Sequence, residues 1–118
     1  MNEVAGDEAG LLRAHRAGDA RAFATLYERY DRALFGVIRR LLGPAHAGAA
    51  EDVHQETWIA VSRTGAGFDP ARASFAAWLF TIARNKVFDY FRRQKIAVLS
   101  FDLGEAEAVA DPGPGPFE

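Results

Sequence analysis

Glu51, Asp52, His54 and Glu56 crowd four ionisable side chains into one short stretch, enough in type for acid–base work or for holding a cation. Either use needs groups that converge, and near neighbours on a helix point about 100° apart. His54 with Glu51 could chelate weakly, but no His-Glu-x-x-His pair is present and His15 and His46 stand on other segments. Catalysis and metal binding therefore fail on spacing. Asp52, Gln55, Glu56 and Ile59 follow a better pattern, since steps of i, i+3, i+4 and i+7 place them on one helix face. Two carboxylates, an amide and an apolar residue in one stripe suit docking on a basic protein surface. A solvated face whose acids Glu51 and Asp52 complement the helix dipole would show the same spacing.

Two further groups could serve nucleic acid. Phe68 and Arg72 lie in Thr64-Gly-Ala-Gly-Phe-Asp-Pro-Ala-Arg-Ala-Ser74, a loop opened by glycines and stiffened by Pro70. An aromatic and an arginine on a shaped loop can stack on an unpaired base and touch phosphate. Phe68 tucked into the core with Arg72 in solvent is the plainer alternative. Downstream, Arg84, Phe88, Arg92 and Lys95 recur at four-, four- and three-residue steps and form one basic edge, with Asn85 and Asp89 beside it. Arginines for phosphates beside an amide that can read a base edge fit nucleic-acid recognition, though a solvated basic face is equally compatible.

These groups need helices to position them. Asp19 is an N-cap candidate, and Phe23, Leu26, Tyr27, Tyr30, Leu34, Ile38 and Leu41 then recur at helical steps until Gly43-Pro44. Leu11 to Arg16 form a short first helix. A third runs from about Ala49 to Arg63, with Val53, Thr57, Ala60 and Val61 towards the core. A fourth begins after the N-cap Ser74 and continues to about Ile96, with Trp78, Leu79 and Ile82 as its core candidates. No period-two pattern competes. The fold is expected to be all-α, a compact bundle of three main helices plus a short N-terminal helix.

Composition sets the frame. The chain has 118 residues, 49% of them hydrophobic and 25% charged, and no cysteine, which fits one soluble domain of 10–96 without disulfides or thiolate metal ligands. No apolar run approaches the roughly 20 residues of a membrane span, and the acidic N-terminus carries no secretory signal, so a soluble cytoplasmic protein is expected. Residues 1–9 read as a flexible N-terminus, and 97–118, acidic and ending in Pro-Gly repeats, as a linker or tail. The net charge of −2 hides segregation: residues 84–95 hold Arg84, Lys86, Arg92, Arg93 and Lys95 against Asp89 alone. That reopens a nucleic-acid partner.

Three runs stand in a specific order: Ala22-Phe-Ala-Thr-Leu-Tyr-Glu-Arg-Tyr-Asp31; Ala50-Glu-Asp-Val-His-Gln-Glu-Thr-Trp58; and Phe68-Asp-Pro-Ala-Arg-Ala-Ser-Phe-Ala-Ala-Trp-Leu-Phe-Thr-Ile-Ala-Arg-Asn-Lys86, closed by Asp89-Tyr-Phe-Arg-Arg93. With them, residues 10–96 resemble region two of the extracytoplasmic-function sigma factors of the bacterial sigma-70 family. His54 stands where the family usually has an apolar or small residue, and Trp58 where it commonly has Phe. The resemblance implies that Asp52, Gln55, Glu56 and Ile59 dock on the β′ clamp helices of core RNA polymerase. It implies that the loop at Phe68 captures a base flipped from the non-template strand of the promoter minus-ten element, and that Asn85, Asp89, Arg92 and Arg93 read and hold that element. Region four is absent from the chain, and the tail looks like the linker that leads to it, so half of a sigma factor is implied.

The expected function is a transcription initiation factor without covalent chemistry, with no cofactor and no metal. Two alternatives belong to other classes. One is a helical interaction module held by an anti-sigma partner, without direct DNA reading. The other, a metal-dependent hydrolase, lacks a ligand set.

Overall fold

The computed structural model describes residues 3–64 and 67–107, with side chains for 7–64 and 67–101. Four α-helices follow in order: α1 Glu3–Arg16, α2 Ala20–Leu42, α3 Ala50–Thr64 and α4 Phe75–Glu107, with a 3-10 helix at Pro44–Ala49. The chain divides into two units, Met1–Val87 and Phe88–Glu118.

Local chemistry sets the helix limits in the first unit. The Asp19 carboxylate accepts from the Arg21 N–H at 3.0 Å and caps α2. Gly43 ends it at φ 81°, a conformation that strains any residue with a Cβ, while its N–H donates to the Arg39 carbonyl. Pro44 then opens the 3-10 helix. Ser74 caps α4, its Oγ accepting from the Ala77 N–H at 3.1 Å.

The core lies where these helices meet. Leu26, Leu34 and Ile38 of α2, Val61 of α3 and Leu79 and Ala83 of α4 expose no surface, and Val53 and Val87 expose almost none. Complete burial of such side chains contributes about 1.5–3 kcal/mol each. α2 packs on both α1 and α3, and the 3-10 helix contacts α2 and α3. This scaffold fixes which face of α3 is left for solvent.

Several expectations are corrected. α1 starts at Glu3, ahead of the start at Leu11 that the sequence suggests for the first helix. The reason is tertiary: Glu8 is 4% exposed and accepts from the Tyr30 hydroxyl at 2.8 Å and from Arg29 Nη1 at 3.3 Å. α4 runs past Ile96 to Glu107, because 97–107 is rich in Ala, Leu and Glu and the first helix-breaking proline is Pro112. The Pro-Gly tail itself lies outside the described residues. Trp78 and Ile82 are only half-buried, since Phe75, Leu79, Ala83 and Val87 hold the inward face at four-residue steps. On α3, Ala60 is half-buried and Trp58 is 5% exposed instead, its indole N–H without a hydrogen-bond partner among the described residues.

Candidate functional site

α3 has an inner and an outer face. Ala50, Val53, Thr57, Trp58 and Val61 are buried, and the Thr57 hydroxyl is spent on the Val53 carbonyl at 2.8 Å. Opposite them, Asp52 and Gln55 are exposed, Glu56 is half-buried and Ile59 is 48% exposed. The four stripe residues expected from spacing therefore share the outer side of one helix. An isoleucine left half in water among carboxylates forms a surface able to bind a partially basic, partially apolar protein face.

His54 sits at the rim of this face but not on it. Its ring is 12% exposed, set edge-on to Tyr27 and Phe35 at centroid distances of 6.1 and 5.3 Å. Nε2 lies 2.8 Å from Asp31 Oδ1, within ion-pair reach, yet it is not aligned for a hydrogen bond. His54 is thus a packing residue beside an α2 carboxylate rather than a solvated member of the acidic stretch. Among the described residues no three His, Asp or Glu side chains could hold a metal ion.

The loop after α3 is shaped by its own bonds. Asp69 Oδ1 accepts from the Ala71 N–H at 3.0 Å, and the Asp69 carbonyl accepts from the N–H groups of Arg72 and Ala73. Phe68 is half-buried, packed on Phe75 and Trp78 with ring centroids 5.6 and 5.2 Å away, and Arg72 is exposed. The ring's nearest neighbours in the structure are therefore aromatic side chains of the fourth helix. Any base stacked on Phe68 has to use the part of the ring that they leave uncovered.

On α4, Arg84 and Asn85 of the first unit are exposed and Lys86 is half-buried. In the second unit, Phe88 is 52% exposed, Arg92, Arg93 and Lys95 are exposed, and Arg92 Nη2 pairs with Asp89 Oδ1. Asp89 thus occupies a guanidinium that the sequence offers to phosphate. Arg63, at the end of α3, adds a cation beside Lys86 that helical spacing on α4 alone does not reveal.

The Tyr30–Glu8 bond carries the largest titration shift among the described residues, and the Tyr30 ring packs on Phe75 at a centroid distance of 5.1 Å. Burial first, then the hydrogen bond to Glu8 and its charge, push the Tyr30 hydroxyl up to about 12. The pair ties α1 to α2 and so supports the bundle behind the stripe.

Comparison with known proteins adds an independent finding. A family model described as sigma-70 region 2 matches residues 26–96, more than half of the chain. The extracytoplasmic-function RNA polymerase sigma factor SigK of Mycolicibacterium vanbaalenii is 34% identical over 87 residues, 74% of this chain and 43% of that protein. The corresponding factor BldN of Streptomyces coelicolor is 34% identical over 101 residues, 84% of this chain and 38% of its own. SigK of Mycobacterium tuberculosis is 33% identical over 89 residues, 75% and 46% of the two chains. The chain spans less than half the length of these curated relatives. No solved structure matches it.

Proposed function

The chain belongs to the sigma-70 region 2 family, in its extracytoplasmic-function branch, and we propose accordingly that it binds core RNA polymerase and recognises the promoter minus-ten element. The observation that carries this reading is the outer face of α3, where Asp52, Gln55, Glu56 and Ile59 face solvent while the opposite face is buried. That stripe docks on the β′ clamp helices, its carboxylates meeting basic side chains and Ile59 filling an apolar contact. The protein acts in the cytoplasm by binding, without covalent chemistry.

DNA recognition then falls to the loop and α4. Phe68 and Arg72 receive a base flipped from the non-template strand, Asn85 reads its edge, and Arg84, Phe88, Asp89, Arg92, Arg93 and Lys95 line the strand and its phosphates. Unstacking a base costs a few kcal/mol, so an acceptor must return that much. The placement of Asn85 and Arg84 in solvent supports their part in this role.

A second reading has its own support. Phe68 already packs edge-on against Phe75 and tilted against Trp78, and Asp89 already pairs with Arg92, which suits an interaction module covered by an anti-sigma partner and silent towards DNA. Competition against a full-length sigma factor for core RNA polymerase, followed by addition of single-stranded minus-ten oligonucleotide, tests both. The first reading predicts competition and strand binding; competition without strand binding selects the second.

A further inference from the structure

A groove of the first unit joins the polymerase-facing stripe to the strand-facing helix. Glu56, Ile59, Ala60, Arg63 and Thr64 of α3 line it together with Lys86 of α4. The Thr64 hydroxyl is turned back on the Ala60 carbonyl at 2.7 Å, so the ionised polar groups of the groove are Arg63, Lys86 and Glu56. Two cations against one carboxylate leave it net positive. Lys86 is half-buried, which suits a stem laid along the apolar wall with its ammonium at the opening.

We propose that Arg63 and Lys86 hold one backbone phosphate of the single strand, beside the base read by Asn85. This rests on the promoter-strand reading given above. Lys86 lies on the same helix as Arg84 and Asn85, and Arg63 lies in the last turn of α3, the helix that precedes the Phe68 loop, so the groove sits between the two elements assigned to the strand. A carboxylate of the polymerase is the competing occupant. Charge disfavours it, because the surface that complements Asp52 and Glu56 must be basic there, and a basic surface repels Arg63 and Lys86. A guanidinium fork with a point ammonium also suits a tetrahedral, multiply accepting anion. The groove thereby places a phosphate at the edge of the docking stripe, so that polymerase binding and strand capture meet at Glu56 and Ile59.

The test measures affinity of the chain, bound to core RNA polymerase, for a single-stranded minus-ten oligonucleotide as a function of salt. Removing one phosphate partner lowers the log–log salt slope by about 0.7, which is about a 2.6-fold difference in affinity change between 50 and 200 mM salt. The double variant Arg63→Gln/Lys86→Gln is expected to show that loss with base preferences unchanged and polymerase affinity not reduced, and Arg63→Lys/Lys86→Arg to restore the slope. Both positions lie outside the core, so an unaltered helical spectrum confirms folding. An unchanged slope in the double variant, with Asn85→Ala still relaxing base preference, overturns the phosphate site and spares the strand reading. A drop in polymerase affinity with the slope intact makes the groove a protein contact and also overturns it. If Asn85→Ala and Arg92→Ala are silent as well, the strand reading itself fails.

Discussion

Truncating Ile59 and reversing Glu56 should weaken polymerase binding by amounts that the structure sets separately. Full burial of an isoleucine is worth about 1.5–3 kcal/mol. Ile59 is 48% exposed, so a partner that covers it gains roughly half of that, and Ile59→Ala, which keeps Cβ, loses about 1 kcal/mol. That is about fivefold in Kd. Glu56→Lys replaces a partner of a charged contact with a like charge, for which about 2–5 kcal/mol, or about 30-fold and upward, is expected. The same holds for Asp52→Lys. Competition with a labelled sigma factor for core RNA polymerase reads all three, with thermal melts by circular dichroism alongside. Leu26→Ala is the control: Leu26 is fully buried, so its melt should fall by about 2–5 kcal/mol of stability while the folded fraction still binds. Unchanged affinity in a folded Asp52→Lys/Glu56→Lys variant refutes the stripe as the docking surface.

Other outcomes follow from single interactions. Tyr30 has a folded pKa raised to about 12 from 10.0, so the stabilisation that goes with its neutral hydroxyl is complete below about pH 10 and is lost as pH rises towards 12. Tyr30→Phe should flatten that alkaline loss in melts taken across the range, and at neutral pH should cost about 1–3 kcal/mol because buried Glu8 keeps only its Arg29 partner. Ser74→Ala removes the cap of α4 and should cost about 1 kcal/mol in denaturant unfolding. Phe68→Ala should lower stability by about 0.5–1.5 kcal/mol for each of the two aromatic pairs it removes, as well as weaken strand binding; weakened strand binding at unchanged stability would contradict the packing of that ring.

Much of the fold is written in short-range chemistry. Asp19, Gly43-Pro44 and Ser74 mark helix limits because a cap or a breaker acts within a few residues, and the structure places the limits there. The period of Leu26, Leu34 and Ile38 likewise fixes the inner face of α2. What sequence patterning missed depends on partners far apart in the chain. Glu8 looks like one more acid in a polar lead until Tyr30, 22 residues on, is seen to bond it. His54 looks solvated until Asp31, Tyr27 and Phe35 of α2 close around it. The solvent side of the α3 stripe was legible, because helical geometry alone puts Asp52, Gln55, Glu56 and Ile59 together. The environment of Phe68 was not, since glycine- and proline-rich loops carry no period and only the fold brings that ring to Phe75 and Trp78. Asp89 and Arg92 are an i, i+3 pair, and that spacing could have signalled that the arginine is already engaged.

Whether this region reads a promoter strand while held on polymerase is decided by affinity measured base by base. The chain, bound to core RNA polymerase, is titrated with single-stranded minus-ten oligonucleotides varied one position at a time, for the native chain, Asn85→Ala and Arg93→Ala. Asn85→Ala is expected to flatten the preference at one position by about 1–3 kcal/mol, roughly 5- to 150-fold, while Arg93→Ala weakens every sequence alike and lowers the salt slope by about 0.7. A native chain with no base preference, or an Asn85→Ala variant whose preferences match the native ones, contradicts strand reading by this region.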